Sequence, residues 1–477
     1  MRLSKETYNV PVLPEKVLQF GTGVLLRALP DYIIDQANKE GRFLGKIVMV
    51  KSTSQGGTDQ FKDQDYLYTV CIRGYENGNW VEKNEVNTAI SRILSAKEEW
   101  DEVLKVASSK ELEVIISNTT EVGIVYEEET LGTDAPNSFP GKLLGVLHKR
   151  YQALGNEGGI VVIPTELISD NGTKLKKIVE DLAKFNSLGE DFYQWLEQEV
   201  TFCNSLVDRI VPGTPKGEVA EQIKKELAYE DSLAIMAEPY ALWAISGDEK
   251  VKEKLSFTGN GAFVEEDITK YKELKLRLLN GTHTLTCGLA FFAGFPTVKD
   301  AMQDPGFSKF LTDLMQKEIG PAIPYALKEG EAEAFGAQVI DRFRNPSIEH
   351  FWINITLNYT QKIEMRIVAL LDQFAPDRIS AGLAAYLHFM RPVRQEDGKW
   401  FGEFNGQFYW IQDQQAAAFK DMNKADVEEW TKTVLGRTDF WGKDLNQVPG
   451  LTKKVSHYLN LLQTEGAKAV WTEINSK

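Results

Sequence analysis

Short runs of β-branched and other apolar residues recur through the first 168 residues of this chain. VLQF (17–20), KIVMV (46–50), LYTVCI (67–72), LEVIIS (112–117) and GIVVIPTELI (159–168) each have a buried strand's composition, and helix-period patterns fall between some of them, around 97–107 and 173–185. Strands that alternate with helices must be joined by crossovers, so the expected fold class is α/β, a doubly wound and mostly parallel sheet. Ligands bind such a sheet at the carboxyl ends of its strands, where SNTTEVG (117–123) and PTELISDNG (164–172) begin. Past about residue 266 the strand signals fade and helical periodicity runs to the C terminus. A boundary near 265, after the turn TGNGAF (258–263), divides a sheet domain (1–265) from a mostly α-helical domain (266–477).

The first strand candidate runs into GTGVLLRAL, a glycine turn followed by a helical pattern. Such a turn lets backbone N–H groups approach a pyrophosphate, with the helix dipole favouring its charge. Gly21 and Gly23 are present, but Leu26 stands where a third glycine would complete the fingerprint, so an ordinary tight turn is an equal reading. Pro30 is expected to bend or end the first helix early.

Composition narrows the partners. With 54 Lys and Arg against 69 Asp and Glu, the formal net charge of −15 opposes broad nucleic-acid binding, and any anionic ligand needs a locally basic site. Cys71, Cys203 and Cys287 are far apart and outside CxxC spacing, which argues against a disulfide framework and a zinc site. The first residues lack an apolar core of the kind that directs secretion, and no run approaches a membrane span. A cytoplasmic protein is the expectation, with no membrane partner. Oligomeric state is not readable from the chain.

The segment KLRLLNGTHT (275–284) places polar groups among leucines. At ~100° per residue, Lys272, Lys275, Asn280 and His283 share one arc of an α-helix, opposite Leu274, Leu278 and Leu285. One reading has Lys275 as a snorkelling surface lysine, Asn280-Gly281 as a helix end and His283 as a satisfied core histidine. The other has Lys275 as a desolvated lysine that exchanges a proton near neutral pH, with Asn280 and His283 holding a carbonyl oxygen. Tyr271 to Lys275 also spells the YxxxK pair of short-chain dehydrogenases, but that family is far shorter and uses a GxxxGxG turn.

The spacing Lys-x4-Asn-x2-His, together with FCNSLVDRIVP (202–212), resembles the two signatures of the mannitol dehydrogenase, or long-chain polyol dehydrogenase, family. The likeness extends over essentially the whole chain, through SNTTEVGI, IPTELISDNG, DRFRNPSIEH and DLNQVPGL, and points to a branch that acts on hexuronates. The resemblance implies a Rossmann-type NAD-binding domain, a helical substrate domain, no metal, and reversible hydride transfer between NADH and a small-molecule hexuronate ketone. It implies Lys275 as acid/base with Asn280 and His283 at the reacting oxygen. Phe20, Gly21, Gly23, Asn118, Thr119 and Glu121 would lie at the cofactor, and Asp208 and Lys362 at the substrate.

Departures from the family pattern bear on the substrate. Leu167 replaces an Asn on the PTEL loop, with Asn171 the candidate substitute; Asn354 replaces a substrate-binding Arg; and Lys272 replaces a Glu one turn before the lysine. The last change favours an acid sugar, whose carboxylate needs a cation, with Lys272, Lys362, Arg342 and Arg344 as candidates. The segment after KIVMV reads Lys51-Ser52-Thr53 and lacks the acidic residue usual for NAD, although the resembling branch uses NAD. Rival readings are a reductase for the stereoisomeric hexuronate, a neutral polyol dehydrogenase, and a dinucleotide-binding sensor without turnover.

Overall fold

The computed structural model describes the chain except residues 53–57, 120–121, 372–374, 423 and 425. It divides into two compact units, Met1–Arg73 with Trp80–Ile268, and Gly74–Asn79 with Thr269–Lys477.

The first unit is built on a six-stranded sheet. Its strands are β1 (Glu15–Phe20), β2 (Lys46–Lys51), β5 (Ile90–Ser95), β6 (Val114–Ser117), β7 (Ile160–Pro164) and β8 (Val200–Phe202). They lie in the order β5-β2-β1-β6-β7-β8, and every neighbouring pair is parallel. Successive side chains of a strand point to opposite faces. Val17, Ile47, Met49, Val114 and Ile116 accordingly enter one core, and Leu18, Val48, Val50 and Ile115 the other. Each such side chain contributes roughly 1.5–3 kcal/mol on full burial, which is why these strands read as continuous apolar runs. Helices Trp100–Ala107 and Phe139–Leu154 pack on each other beside the second core.

LYTVCI departs from the expected arrangement. It forms β3 (Tyr68–Glu76), which pairs with β10 (Ile235–Ala237) and β4 (Asn79–Asn87) in a separate three-stranded sheet. The place at the edge of the main sheet is taken by ISRILS, whose polar residues hid it among the turns. A third sheet joins β9 (Ser205–Asp208), β11 (Leu242–Ser246) and β12 (Ala262–Glu265). Pro30 acts as expected, since one short helix ends at Ala28 and the next begins at the proline.

The second unit is mostly helical. Its central helix, Thr282–Phe292, is buried along nearly its whole length and packs on Asp377–Phe389. The approach is close enough that a Cβ on Gly382 would lie 2.7 Å from the Leu285 carbonyl oxygen. Helical periodicity did not reveal the antiparallel meander of β13 (Arg394–Glu396), β14 (Lys399–Phe404) and β15 (Gln407–Trp410). Among the described residues no helix is long and apolar enough to cross a membrane.

Candidate active site

In the first unit the sheet reverses its winding between β1 and β6, and the two candidate loops meet there. Gly21 has φ of 126°, its N–H donates to the Val50 carbonyl, and a Cβ on it would lie 2.8 Å from Leu26 Cδ1 and 2.9 Å from the Asn118 carbonyl oxygen. Only glycine fits. Gly23, by contrast, opens onto free space, and Leu26 is buried against the turn in place of a third glycine. Asn118 Nδ2 donates to the carbonyl and Oγ1 of Thr165, while the N–H and Oγ1 of Thr119 both donate to Glu166 Oε1. Ser117 Oγ donates to Glu166 Oε2. Burial raises the pKa of Glu166, and these hydrogen bonds draw it back. Glu166 therefore ties SNTT to PTEL, a role the sequence signalled only by an acid after an apolar strand. Glu121 lies outside the described residues.

Two expectations for this unit are corrected. The Phe20 side chain is buried in the core with its ring 5.3 Å from that of Phe139, so only its backbone borders the loop. Asn171 has its amide fully engaged: Nδ2 donates to the carbonyls of Pro164, Glu166 and Ser205, and Oδ1 accepts from the N–H groups of Gly172 and Ser205. It is a buried latch with no donor left for a substrate oxygen, and Leu167 beside it is exposed. Asp208 ends β9 and is buried. Its neighbour Arg209 donates to the carbonyls of Glu238 and Ala28 and lies over the Tyr32 ring at 4.7 Å, which braces VDRI against the first helices.

In the second unit the segment that raised the two readings is not a regular α-helix. An α-helical turn, Thr269–Leu274, passes into π-helix over Lys275–Gly281 and returns to α-helix at Thr282. An α-helix sets residues five apart about 140° from each other. A π turn closes i→i+5 and draws Lys275 and Asn280 toward one face, so the 100° wheel does not apply across this segment. Helix Tyr359–Ile367 grips the π turn from both directions. Arg277 Nη1 donates to the carbonyls of Met365 and Arg366, and Arg366 Nη1 donates to the Asn280 carbonyl at 3.3 Å and to Thr284 Oγ1 at 2.9 Å. Lys275 and Asn280 are half-buried, and the side-chain amide of Asn280 makes no hydrogen bond among the described residues.

His283 is buried, its ring stacked on Phe343 at 4.1 Å and edge-on to His350 at 4.9 Å and Trp352 at 6.1 Å. Its Nε2 has no hydrogen-bond partner among the described residues, so it is not the satisfied core histidine of the first reading. Burial holds its pKa well below the usual histidine value, and His350, Arg342, Arg366 and Lys362 lower it further. Lys362 donates to the Ile355 carbonyl at 2.8 Å, and burial with Arg366 nearby lowers its pKa. A neutral imidazole thus sits in a cluster of cations, although the chain as a whole carries −15.

The cluster sorts the cation candidates. Arg342 is buried and acts on His283; Arg344, two residues on, is exposed and reaches Ser308 Oγ in a separate pocket with Lys299, Gln303 and Asp341. Arg344, expected at the substrate, thus stands apart from His283, because side chains two apart on a helix face opposite ways. Lys272 is half-buried on the turn before the π segment. Arg366 and His350 were missed; the signal available was a second cation four residues after Lys362, on the same helix face.

Comparison with known proteins gives the chain its relatives. The Mannitol dehydrogenase Rossmann domain matches residues 15–259 and the Mannitol dehydrogenase C-terminal domain residues 267–463. The altronate oxidoreductase of Halalkalibacterium halodurans is 37% identical over 480 residues, covering 97% of this chain and 93% of that protein. That of Bacillus subtilis is 36% identical, covering 98% and 96%. Among solved structures, a substrate-free D-sorbitol dehydrogenase superposes with a TM-score of 0.80 at 22% identity, over 98% of this chain and all of the other. Pseudomonas fluorescens mannitol 2-dehydrogenase, in a ternary complex with NAD and D-mannitol, gives 0.67 at 20% identity over the full length of both chains. These two bear on the fold.

Proposed function

The chain belongs to the mannitol dehydrogenase family, and from that premise we propose that it is an NAD-dependent hexuronate reductase of the altronate oxidoreductase type, interconverting tagaturonate and altronate. The observation that carries the choice of an acid sugar is the set of cations around His283, in a chain otherwise strongly acidic. Lys362 belongs to the family pattern; Arg342 and Arg366 beside it at one buried ring bring positive charge that a carboxylate would offset.

The turn after β1 fits a dinucleotide: Gly21 leaves no room for a side chain, and Gly23 beside it is open. Gly21, Gly23 and the Asn118-Thr119 loop would hold NAD, with the side chains of Asn118 and Thr119 fixing the loop rather than reaching out. NADH, when bound, supplies a hydride for the keto carbon. Lys275, as the ammonium, gives its proton to the keto oxygen, and as the neutral amine takes it back in the reverse direction. Asn280 Nδ2 donates to that oxygen as charge gathers on it, and His283, uncharged, offers Nε2 as a second donor in its N–H tautomer. A well-placed donor of this kind is worth roughly 2.7–4 kcal/mol of barrier in other enzymes. Lys362 and Arg342 add positive charge around His283, which suits an anionic substrate.

The test is oxidation of NADH and NADPH with tagaturonate, fructuronate and fructose side by side, with Lys275→Ala as the variant lacking the proton donor. NADH oxidation with tagaturonate, lost in Lys275→Ala while NADH binding persists, is the expected outcome. Turnover of fructose with neither hexuronate would overturn the substrate, and undiminished turnover by the variant would overturn the lysine.

A further inference from the structure

Buried and half-buried guanidinium groups need acceptors, and among the described residues several have them. Arg73 meets Glu82 and Glu226, Arg277 meets Glu273, and Arg378 meets Asp313 and Glu318. Arg150 has no carboxylate but places Nε, Nη1 and Nη2 on four carbonyls. Arg366 is different. Its Nη1 reaches the Asn280 carbonyl and Thr284 Oγ1, but its Nε is buried without an acceptor, and no carboxylate pairs with it among the described residues. Arg27 and Arg378 also leave Nε bare, yet Arg27 lies over the rings of Phe61 and Tyr68 with Asp31 nearby, and Arg378 has its two carboxylates. A partly desolvated cation with neither counter-ion nor full hydrogen bonding is costly, and an arriving anion removes that cost.

Its surroundings add to the imbalance. Arg366 and Lys362 share helix Tyr359–Ile367 four residues apart, and both oppose protonation of His283, as do Arg342 and His350. The planar fork matches a carboxylate in a way the ammonium of Lys362 does not. We propose that Arg366 is the residue that recognises the substrate's carboxylate, through Nη2, the nitrogen left without an acceptor beside the buried Nε; this rests on the hexuronate reading above. Nη1 already holds the Asn280 carbonyl, so the residue that selects the acid also steadies the turn carrying Asn280.

Calorimetric titration with gluconate, an open-chain sugar acid, and with sorbitol, its uncharged counterpart, tests this without requiring turnover. Wild-type protein, Arg366→Gln and Arg366→Lys are compared, with NADH binding as the check on folding. Gluconate affinity is expected to fall at least tenfold in Arg366→Gln, with sorbitol and NADH affinities within twofold of wild type. Arg366→Lys, which keeps the charge and loses the fork, should fall between, and it carries the test alone if the glutamine variant does not fold. Gluconate that binds wild type and Arg366→Gln within twofold, parallel losses for gluconate and sorbitol, or no gluconate binding to the wild type overturns the assignment. A wild-type protein that binds gluconate through Arg366 but reduces no hexuronate defeats only the parent reading.

Discussion

His283 and His388 show how burial, helped by nearby cations, sets protonation in the second unit. Both have their pKa lowered, His388 to about 4, with burial the main cause and Arg391 adding to it. A histidine held neutral in the fold binds its proton only after unfolding, so stability is complete above the unfolded value of about 6.5 and declines as pH falls from there toward the folded value. For His388, lowered from 6.5 to about 4, the loss amounts to about 3.5 kcal/mol at most, at about 1.4 kcal/mol per pK unit. Urea unfolding at pH 7 and pH 5 is expected to show a smaller difference between the two in His388→Gln than in the wild type. An equal difference in both would mean that His388 is not a source of the pH dependence.

The π turn is the element on which the proposed chemistry depends, and it is also where sequence reading met its limit. Strands were legible because full burial on two faces forces continuous apolar runs, and the start of the second helix was legible because proline cannot continue the first. The shift to i→i+5 over Lys275–Gly281 leaves no compositional trace: the residue types suit an α-helix, and partners 86 to 89 residues away impose the register. Asn171 was misjudged for a related reason, since its amide is filled by backbone groups that only the fold brings together. Arg277 is the partner whose loss should be felt most, as it links Glu273 to the carbonyls of Met365 and Arg366. Arg277→Met is expected to cost about 2–4 kcal/mol by breaking buried charge-assisted hydrogen bonds, lowering the melting temperature by several degrees. It should also lower kcat at least tenfold at temperatures where the variant remains folded. A lower melting temperature with unchanged kcat would show that the grip stabilises the unit without setting the turn.

At the scale of the whole molecule, two electrostatic effects act on an anionic substrate in opposite directions. In the proposed reading the net charge of −15 repels it at long range, whereas the Arg342, Lys362 and Arg366 group attracts it once it arrives. Salt separates them by distance. The screening length falls from about 30 Å at 0.01 M to about 8 Å at 0.15 M, which suppresses repulsion from the distant surface while leaving a half-buried pair much less affected. Raising the ionic strength over that range should therefore leave KM for a hexuronate unchanged or lower it about twofold, and leave KM for a neutral ketose unchanged. Steady-state kinetics in a non-binding salt such as sodium chloride reads this directly. A KM for the hexuronate that climbs several-fold would mean that attraction operates at long range through exposed cations, and that the half-buried group around His283 is not what brings the acid in.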